Sequence, residues 1–262
     1  MFFFRILKYL KYLLVSKHRK GHGIHSPFVF DLISRIFRNK IDSDIVLMVE
    51  NTRKKNRSDN RVINVRDLGA GSQTLKNSMR RVSETARYSA IPERYGILLA
   101  NMASEFGKPA IVELGTSLGI STMYLALADP ENDVLTIEGC PQTAGIAKEN
   151  FKNAGIENIR LMNGSFDEMF PQLEKWKIRP GLVFIDGDHR REPLLRYFSR
   201  MADLADEGTV VIIDDIHHSP EMEEAWHEIR QNEKVSVTID IYRMGFVFFR
   251  RGMSRYNYVI RY

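Results

Sequence analysis

Several apolar runs of this 262-residue chain carry carboxylates whose spacing could do chemistry. Glu138, Asp186 and the pair Asp214-Asp215 each close a β-rich run, and Glu113 stands two residues before a glycine in another. If these runs are parallel strands, their carboxyl ends meet at one edge of a sheet, which is where such sheets bind ligands. A row of acids at that edge can accept hydrogen bonds from hydroxyls, attract an ammonium or sulfonium group, or hold a divalent cation.

The first run continues into a glycine turn, which occupies residues 113–119, and then into apolar residues at helical spacing. This pattern predicts a buried strand, a tight turn and a helix whose first N–H groups face a ligand. Glu138 follows Gly115 by 23 residues, at the end of the next β-rich run, where a carboxylate can accept both hydroxyls of a ribose. Because Glu113 would repel a pyrophosphate at this turn, a cationic group such as a sulfonium suits it better.

With these residues the chain resembles the class I S-adenosylmethionine-dependent methyltransferases, over roughly residues 88–250. The resemblance implies that Glu138 holds the ribose of S-adenosylmethionine and that Asp186 also faces this cofactor. It assigns the methionine moiety to the glycine turn and the helix that follows: Glu113, Gly115, Thr116, Ser117, Gly119 and, as a further candidate, Ser121. It assigns the border of the adenine to the residues after the third β-rich run: Gly164, Ser165 and Phe166.

A second cluster combines Asp186 with Asp214 and Asp215, which follow the next β-rich run. Ends of adjacent strands lie about 5 Å apart, so the three carboxylates repel unless a proton, a Lys or Arg, or a divalent cation neutralises them. The pattern Asp-Gly-Asp…Asp-Asp resembles the metal-dependent O-methyltransferases that act on antibiotic sugars, and more loosely those that act on catechol and caffeoyl-CoA. This resemblance implies a Mg²⁺ ion on Asp186, Asp214 and Asp215. In the metal-free alternative, Asp186 holds the amine of the cofactor, and Asp214 or Asp215 caps the next helix.

Three residues that follow the fourth β-rich run are candidates for catalysis: Asp186, Asp188 and His189. Methyl transfer to an oxygen requires a positioned nucleophile and a group that removes its proton. A divalent cation would acidify a coordinated hydroxyl, and Asp188 or His189 could then take the proton. Asp188 can equally support the loop, and His189 can simply contact the substrate.

The elements that would position these residues alternate regularly between strand and helix. A parallel sheet covered on both faces is the usual result of such alternation. Two final runs, 235–242 and 246–250, are joined so closely that they must be antiparallel neighbours. The predicted fold is therefore α/β, a Rossmann-like seven-stranded methyltransferase sheet with an antiparallel last strand, preceded by an N-terminal helical cap. The five earlier strands are predicted at 110–114, 134–138, 159–162, 182–186 and 209–213.

Charge divides the chain into two parts. Residues 1–95 hold 20 Lys and Arg against 8 Asp and Glu, a net charge of +12, whereas the remaining 18 and 25 give 96–262 a net charge of −7. A nucleic acid is an unexpected substrate, because enzymes that modify one usually carry positive charge around the site. We predict a cap or dimerisation region at 1–90 and a methyltransferase domain at 91–262.

Residues 1–20 contain no acid and many apolar and aromatic residues. Because Arg5, Lys8 and Lys11 interrupt the apolar run, we expect neither a spanning helix, which needs about 20 apolar residues, nor a signal peptide. An amphipathic helix here could lie on an anionic membrane, or it could pack against its own domain or a second subunit of a homodimer. The single Cys140 fits a reducing cytoplasm.

Three further segments invite other interpretations. Residues 67–72 form a second glycine motif, which is the main rival for the cofactor turn but lacks an acid-ended strand near residue 90. His18, His22 and His25 could suggest a metal cluster, although no carboxylate accompanies them. The charged stretch 38–62 is predicted to be a loop or a solvated helix end.

The sequence as a whole predicts a cytoplasmic S-adenosylmethionine-dependent methyltransferase that acts on a hydroxyl of a small molecule with Mg²⁺. One alternative is a metal-independent N- or RNA methyltransferase. Another is a membrane-associated protein that keeps the cofactor site without catalysis. The identity of the acceptor has no signature in the sequence.

Overall fold

The computed structural model describes residues 2–17, 23–66 and 77–262. The rival glycine motif at 67–72, together with His18 and His22, lies outside these residues. The strands in the described part are β1 (Val62–Asn64), β2 (Met79–Arg81), β3 (Ala110–Leu114), β4 (Asp133–Glu138), β5 (Ile159–Asn163), β6 (Leu182–Ile185), β7 (Val210–Ile213), β8 (Val237–Asp240), β9 (Gly245–Phe248) and β10 (Tyr256–Val259). The helices are α1 (Phe2–Val15), α2 (Pro27–Asp31) with a π-helical turn (Leu32–Ile36), α3 (Ser43–Ser58), α4 (Val82–Tyr88), α5 (Glu93–Phe106), α6 (Ile120–Leu127), α7 (Pro141–Asn153), α8 (Phe166–Lys175), α9 (Arg191–Leu204) and α10 (Pro220–Ile229).

One large sheet organises the chain, with the strand order β10-β8-β9-β7-β6-β3-β4-β5. Strands β3 to β7 are parallel to one another, and β9 runs antiparallel to both β7 and β8. The predicted fold class and the antiparallel strand are confirmed. The predicted strand number is wrong by one, because β10 joins the edge parallel to β8 and makes the sheet eight-stranded.

The order of the strands reverses between β3 and β6. The chain passes from β3 to β4 and β5 on one side, and then returns to place β6 and β7 on the other. Ligands in open α/β sheets bind at the carboxyl ends of the strands beside such a reversal. Both predicted site clusters therefore lie near this crevice.

The sheet is covered on both faces, and its central strands β3, β6 and β7 are buried along their whole length. Alternate residues point to opposite faces, so that Ile111 and Phe184 belong to one buried core, and Val112 and Val183 to the other. The first core also contains N-terminal residues, among them Phe37, whose ring lies 5.0 Å from that of Phe246. The predicted division near residue 90 stays a prediction, and residues from both sides of it share this core.

Two N-terminal elements pack close to the predicted site. The hairpin of β1 and β2, with α4, covers the glycine turn through a small core formed by Ile63, Val82, Leu118 and Ile146. Helix α1 packs through Tyr12, whose hydroxyl donates to the carbonyl of Ile260 at 2.7 Å. Within the described ranges, no helix has the length and apolar character that crossing a bilayer requires.

Candidate active site

The glycine turn links β3 to α6 and lies against the end of β6. Gly115 has φ +108°, and a Cβ at this position would come within 2.4 Å of the carbonyl oxygen of Asp186. Gly119, at the start of α6, has φ +85°, and a Cβ there would meet the ring of Phe151. Glycine is required at both positions because the backbone is left-handed and the neighbours are close. The turn thus brings the first predicted cluster into contact with the second.

The buried side chain of Glu113 fixes the position of this turn. Its carboxylate is fully buried and accepts hydrogen bonds from the hydroxyls of Ser121 at 2.6 Å, Thr122, and Thr136 at 2.6 Å. Burial raises the pKa of Glu113, and the three hydroxyl donors oppose that rise. Strand β4 and the first turn of α6 are therefore tied to β3 through one side chain.

Ser117 is the more accessible residue of the turn, whereas Thr116 is buried and its hydroxyl pairs with that of Thr136 at 2.6 Å. Ser117 has φ +49°, and its hydroxyl lies 2.9 Å from that of Ser89, at the end of α4. The predicted methionine-binding residues therefore separate into a buried support, Glu113 with Ser121 and Thr116, and a more accessible rim.

Glu138 connects the turn to the next two strand ends. Its carboxylate accepts the backbone N–H groups of Ser117 at 2.8 Å and Cys140 at 2.9 Å. Its own carbonyl accepts the side-chain amide of Asn163 at 2.7 Å and the N–H of Gly164 at 3.1 Å. Carboxylate oxygens accept more than one hydrogen bond, so this geometry is compatible with ribose hydroxyls.

The residues predicted to border an adenine follow β5. Ser165 caps α8 in a reciprocal arrangement with Glu168, whose pKa is lowered by hydrogen bonds from Ser165. Phe166 is partly exposed and lies edge-on to Tyr197 with ring centroids 5.1 Å apart. A Cβ on Gly187 would come within 2.6 Å of the Phe166 ring, so this ring lies against the loop that follows β6.

The acid cluster is assembled by the pairing of β6 with β7. Ile185 is opposite Ile213, and the N–H of Asp214 donates to the carbonyl of Ile185 at 2.9 Å, which places Asp186 and Asp214 side by side. Burial and the charge of Asp214 raise the pKa of Asp186 well above its usual range. Burial and the charge of Asp215 raise the pKa of Asp214 to about 6.

Arg243 enters this cluster from the turn between β8 and β9. Its Nε donates to Oδ1 of Asp214 at 3.0 Å and its Nη2 to Oδ2 at 2.6 Å, and Nη2 lies 3.9 Å from Asp215. Burial by itself would lower the pKa of Arg243, but the charges of Asp214 and Asp215 outweigh it and raise the pKa. Arg243 is not among the predicted site residues. Three carboxylates need a neutralising partner, but the acid pattern does not identify which basic residue supplies it, because Arg243 lies 29 residues after Asp214.

Whether these acids can bind a divalent cation depends on the groups that already donate hydrogen bonds to them. Both oxygens of Asp214 accept from the Arg243 guanidinium, which places a positive charge where the ion would bind. In the described ranges, no three side chains of the types His, Cys, Asp and Glu are grouped so that they could hold a metal. The cluster in this arrangement does not fit the predicted Mg²⁺.

The two remaining catalytic candidates, Asp188 and His189, both lie in the loop after β6 but make different contacts. Asp188, with φ +53°, accepts Nε of Arg190 at 2.5 Å and Nη2 at 2.7 Å, so its carboxylate supports the loop. His189 is partly exposed, and its Nε2 lies 3.5 Å from Oδ1 of Asp186. An imidazole beside a carboxylate is an arrangement that can accept a proton. Of the two, His189 has the geometry of a base.

Comparison with known proteins finds similar sequences and similar folds. A family model described as a methyltransferase domain matches residues 112–216, from the glycine turn to the acid pair. This part of the chain is therefore similar to a methyltransferase domain. The predicted resemblance to the class I methyltransferases is thereby confirmed.

Relatives of this methyltransferase domain include two proteins named catechol O-methyltransferase. The one from Niastella koreensis is 33% identical over 109 residues, which are 40% of this chain and 48% of that protein. The one from Mycobacterium tuberculosis is 30% identical over 129 residues, 48% of this chain and 57% of that protein. This chain thus spans about half the length of these curated relatives.

Among solved structures, the fold of the methyltransferase domain is similar to that of the O-methyltransferase TomG from Streptomyces achromogenes, determined in complex with SAM. The TM-score is 0.57 at 18% identity, and the alignment covers 85% of this chain and 96% of TomG. At this identity the similarity supports the fold.

Proposed function

We propose that this protein transfers a methyl group from S-adenosylmethionine to a hydroxyl oxygen of a small molecule. The contact between Gly115 and Asp186 carries the proposal, because it joins a turn suited to a cationic nucleoside to a cleft with a candidate base. Relatives named O-methyltransferases support the choice of oxygen as acceptor.

The chain's own residues supply the groups that such a cofactor requires. Glu138 accepts the ribose hydroxyls, and the amino-acid end of the ligand lies beside the turn at Gly115. Three carboxylates against one guanidinium leave the neighbouring cluster with net negative charge, which favours a sulfonium or ammonium over a phosphate. Phe166 offers an apolar surface for a base, as the sequence analysis expects.

Proton removal is assigned to His189. S-adenosylmethionine supplies a methyl group already activated on a positive sulfur, so the protein has to position the acceptor oxygen and take its proton. The imidazole of His189 accepts the hydroxyl proton as the oxygen–carbon bond forms and the sulfur–carbon bond breaks. Asp186, whose Oδ1 lies 3.5 Å from Nε2 of His189, orients the ring.

The first test is the replacement of Glu138 by alanine. We expect the affinity for S-adenosylmethionine, measured by calorimetry, to fall by about tenfold to a hundredfold, because hydrogen bonds between a charged group and two hydroxyls are lost. Asp133→Ala, at the opposite end of the same strand, is the matched control and should bind normally. Unchanged affinity in Glu138→Ala would remove the ribose assignment.

Transfer itself is tested with radiolabelled S-adenosylmethionine and a panel of small hydroxylated acceptors. Label recovered in an alkali-stable ether supports the proposal. Binding of the cofactor without transfer to any hydroxyl, together with label in an amine or in tRNA, would instead favour the N- or RNA methyltransferase.

For helix α1 we propose peripheral contact with an anionic membrane. One side of the helix packs on the domain through Tyr12, while the other exposes Phe3, Leu7, Leu10 and Leu14, the last by 87%. Residues 1–20 carry six Lys and Arg and no acid, which complements anionic lipid. An apolar helix face bordered by basic residues is typical of interfacial helices.

Co-sedimentation with vesicles tests this contact. We expect binding to phosphatidylserine-containing vesicles, weaker binding to pure phosphatidylcholine, and loss of binding in Leu7→Glu/Leu14→Glu. Leu47→Glu, on the exposed side of α3, is the control and should bind like the unmodified protein. Indifference to vesicles, with a dimer in light scattering that Leu14→Glu dissociates, would assign this face to a second subunit.

A further inference from the structure

We infer that Arg243 takes the place of the divalent cation in this site, so that the acids bind no metal and methyl transfer needs none. The part about metal binding is independent of the proposed function, whereas the part about transfer rests on it. The inference concerns a residue that the acid pattern alone does not reveal.

The hydrogen-bond geometry of Asp214 is the first support. Asp214 is almost fully buried, at 1% exposure, and the planar fork of Arg243 donates to both of its oxygens, at 3.0 and 2.6 Å. Two parallel donors on one carboxylate are the strongest form of this ion pair. A metal bound here would have to displace them.

The anchoring of Arg243 is the second support. Its N–H donates to the carbonyl of Ile241 at 3.0 Å, and its carbonyl accepts the N–H of Ile216 at 3.2 Å. The guanidinium carbon lies 5.5 Å from the ring centre of Tyr95. The two backbone hydrogen bonds and the aromatic neighbour hold the Arg243 side chain over the acids. A surface arginine, by contrast, moves freely.

The balance of charge is the third support. Three carboxylates, Asp186, Asp214 and Asp215, meet one guanidinium, which supplies the positive charge that the cluster needs to fold. A dication at Asp214 would lie next to the Arg243 guanidinium, and their repulsion at short range would offset much of the attraction of the acids. The rings of two histidines near the acids, His189 and His218, have centroids 6.0 Å apart.

The decisive experiment is a titration of the intact protein with Mn²⁺, followed by electron paramagnetic resonance. We expect weak binding at most to the unmodified protein, and binding at least about tenfold tighter in Arg243→Met, because the substitution removes a positive charge in contact with the acids. Arg243→Lys keeps the charge and should continue to exclude Mn²⁺. Arg191→Met is the matched control, since Arg191 pairs with Glu228 on the surface, and it should show no gain.

The result for the unmodified protein decides the inference even if Arg243→Met fails to fold. Tight Mn²⁺ binding that Asp214→Asn abolishes would overturn it. A folded Arg243→Met that gains no Mn²⁺ affinity would also overturn it. Where an acceptor has been found, EDTA should leave the methylation rate unchanged, and a loss of rate restored by Mg²⁺ would contradict the inference. If no transfer is detected, the proposed function fails while the Mn²⁺ titration still stands as a test.

Discussion

Replacement of Asp186 by alanine is expected to lower kcat/KM for methyl transfer by about a hundredfold to a thousandfold. The carboxylate has two tasks in the proposed site. It orients His189, whose Nε2 lies 3.5 Å from it, and it contributes negative charge beside the glycine turn, where a sulfonium would bind. Both contributions are lost together, which makes this the largest catalytic effect that we expect of a single substitution.

The measurement is a steady-state assay with S-adenosylmethionine and an acceptor identified by screening. Asp167→Ala removes an exposed acid that pairs with Arg196 on the surface, and it should retain full activity. A separate calorimetric titration divides the loss between cofactor affinity and turnover. An Asp186→Ala protein that keeps its activity within about tenfold would show that neither assigned task contributes appreciably to the transition state.

Replacement of Glu113 by alanine is expected to lower the free energy of unfolding at pH 7 by about 3 kcal/mol. The substitution leaves a cavity in the core and deprives three hydroxyl donors, Ser121, Thr122 and Thr136, of their acceptor. Urea unfolding followed by circular dichroism measures the change. Glu113→Gln is the matched variant, because its amide oxygen still accepts hydrogen bonds and the cavity is filled, so its loss should be clearly smaller.

A comparison of the unmodified protein with Glu113→Gln also tests how the free energy of unfolding depends on pH. Burial raises the pKa of Glu113 in the folded protein above its ordinary value of 4.5. At a pH between 4.5, the pKa in the unfolded chain, and the raised pKa in the folded protein, Glu113 keeps its proton only in the folded state. The contribution of Glu113 to stability is therefore complete below pH 4.5 and declines as the pH rises. Glu113→Gln lacks this titration. The stability of the unmodified protein relative to Glu113→Gln should therefore fall as the pH rises, and a rise would contradict the assignment.

Much of the fold could be predicted because the residue patterns that indicate its strands are local in the sequence. The apolar runs from Ala110 to Ile213 carry their own β propensity, and each of the predicted strands occurs close to its expected position. The register that aligns Ile185 with Ile213 follows from the parallel order, so the neighbouring positions of Asp186 and Asp214 could also be predicted. Burial and strand order were sufficient for this part of the site.

Features that depend on distant partners could not be predicted in this way. The charged stretch 38–62, predicted to be a loop or a solvated helix end, contains the whole of α3. In this helix Arg53 is buried and pairs with Glu50, and Tyr124 donates to Glu50 at 3.1 Å from another helix. Strand β10 is short and polar, and only its pairing with β8 identifies it. Arg243 is similar, because its role depends on a contact across 29 residues of sequence with Asp214.

Helix α1 contacts the hairpin turn that carries Arg243. The hydroxyl of Tyr242, the residue before Arg243, donates to the carbonyl of Arg5 at 2.8 Å, and its ring lies 5.0 Å from that of Tyr9. A surface that drew α1 away from the domain would break these contacts with the turn that carries Arg243. Attachment to lipid and capture of the acceptor would then be coupled equilibria, in which each event changes the affinity of the other by the same factor.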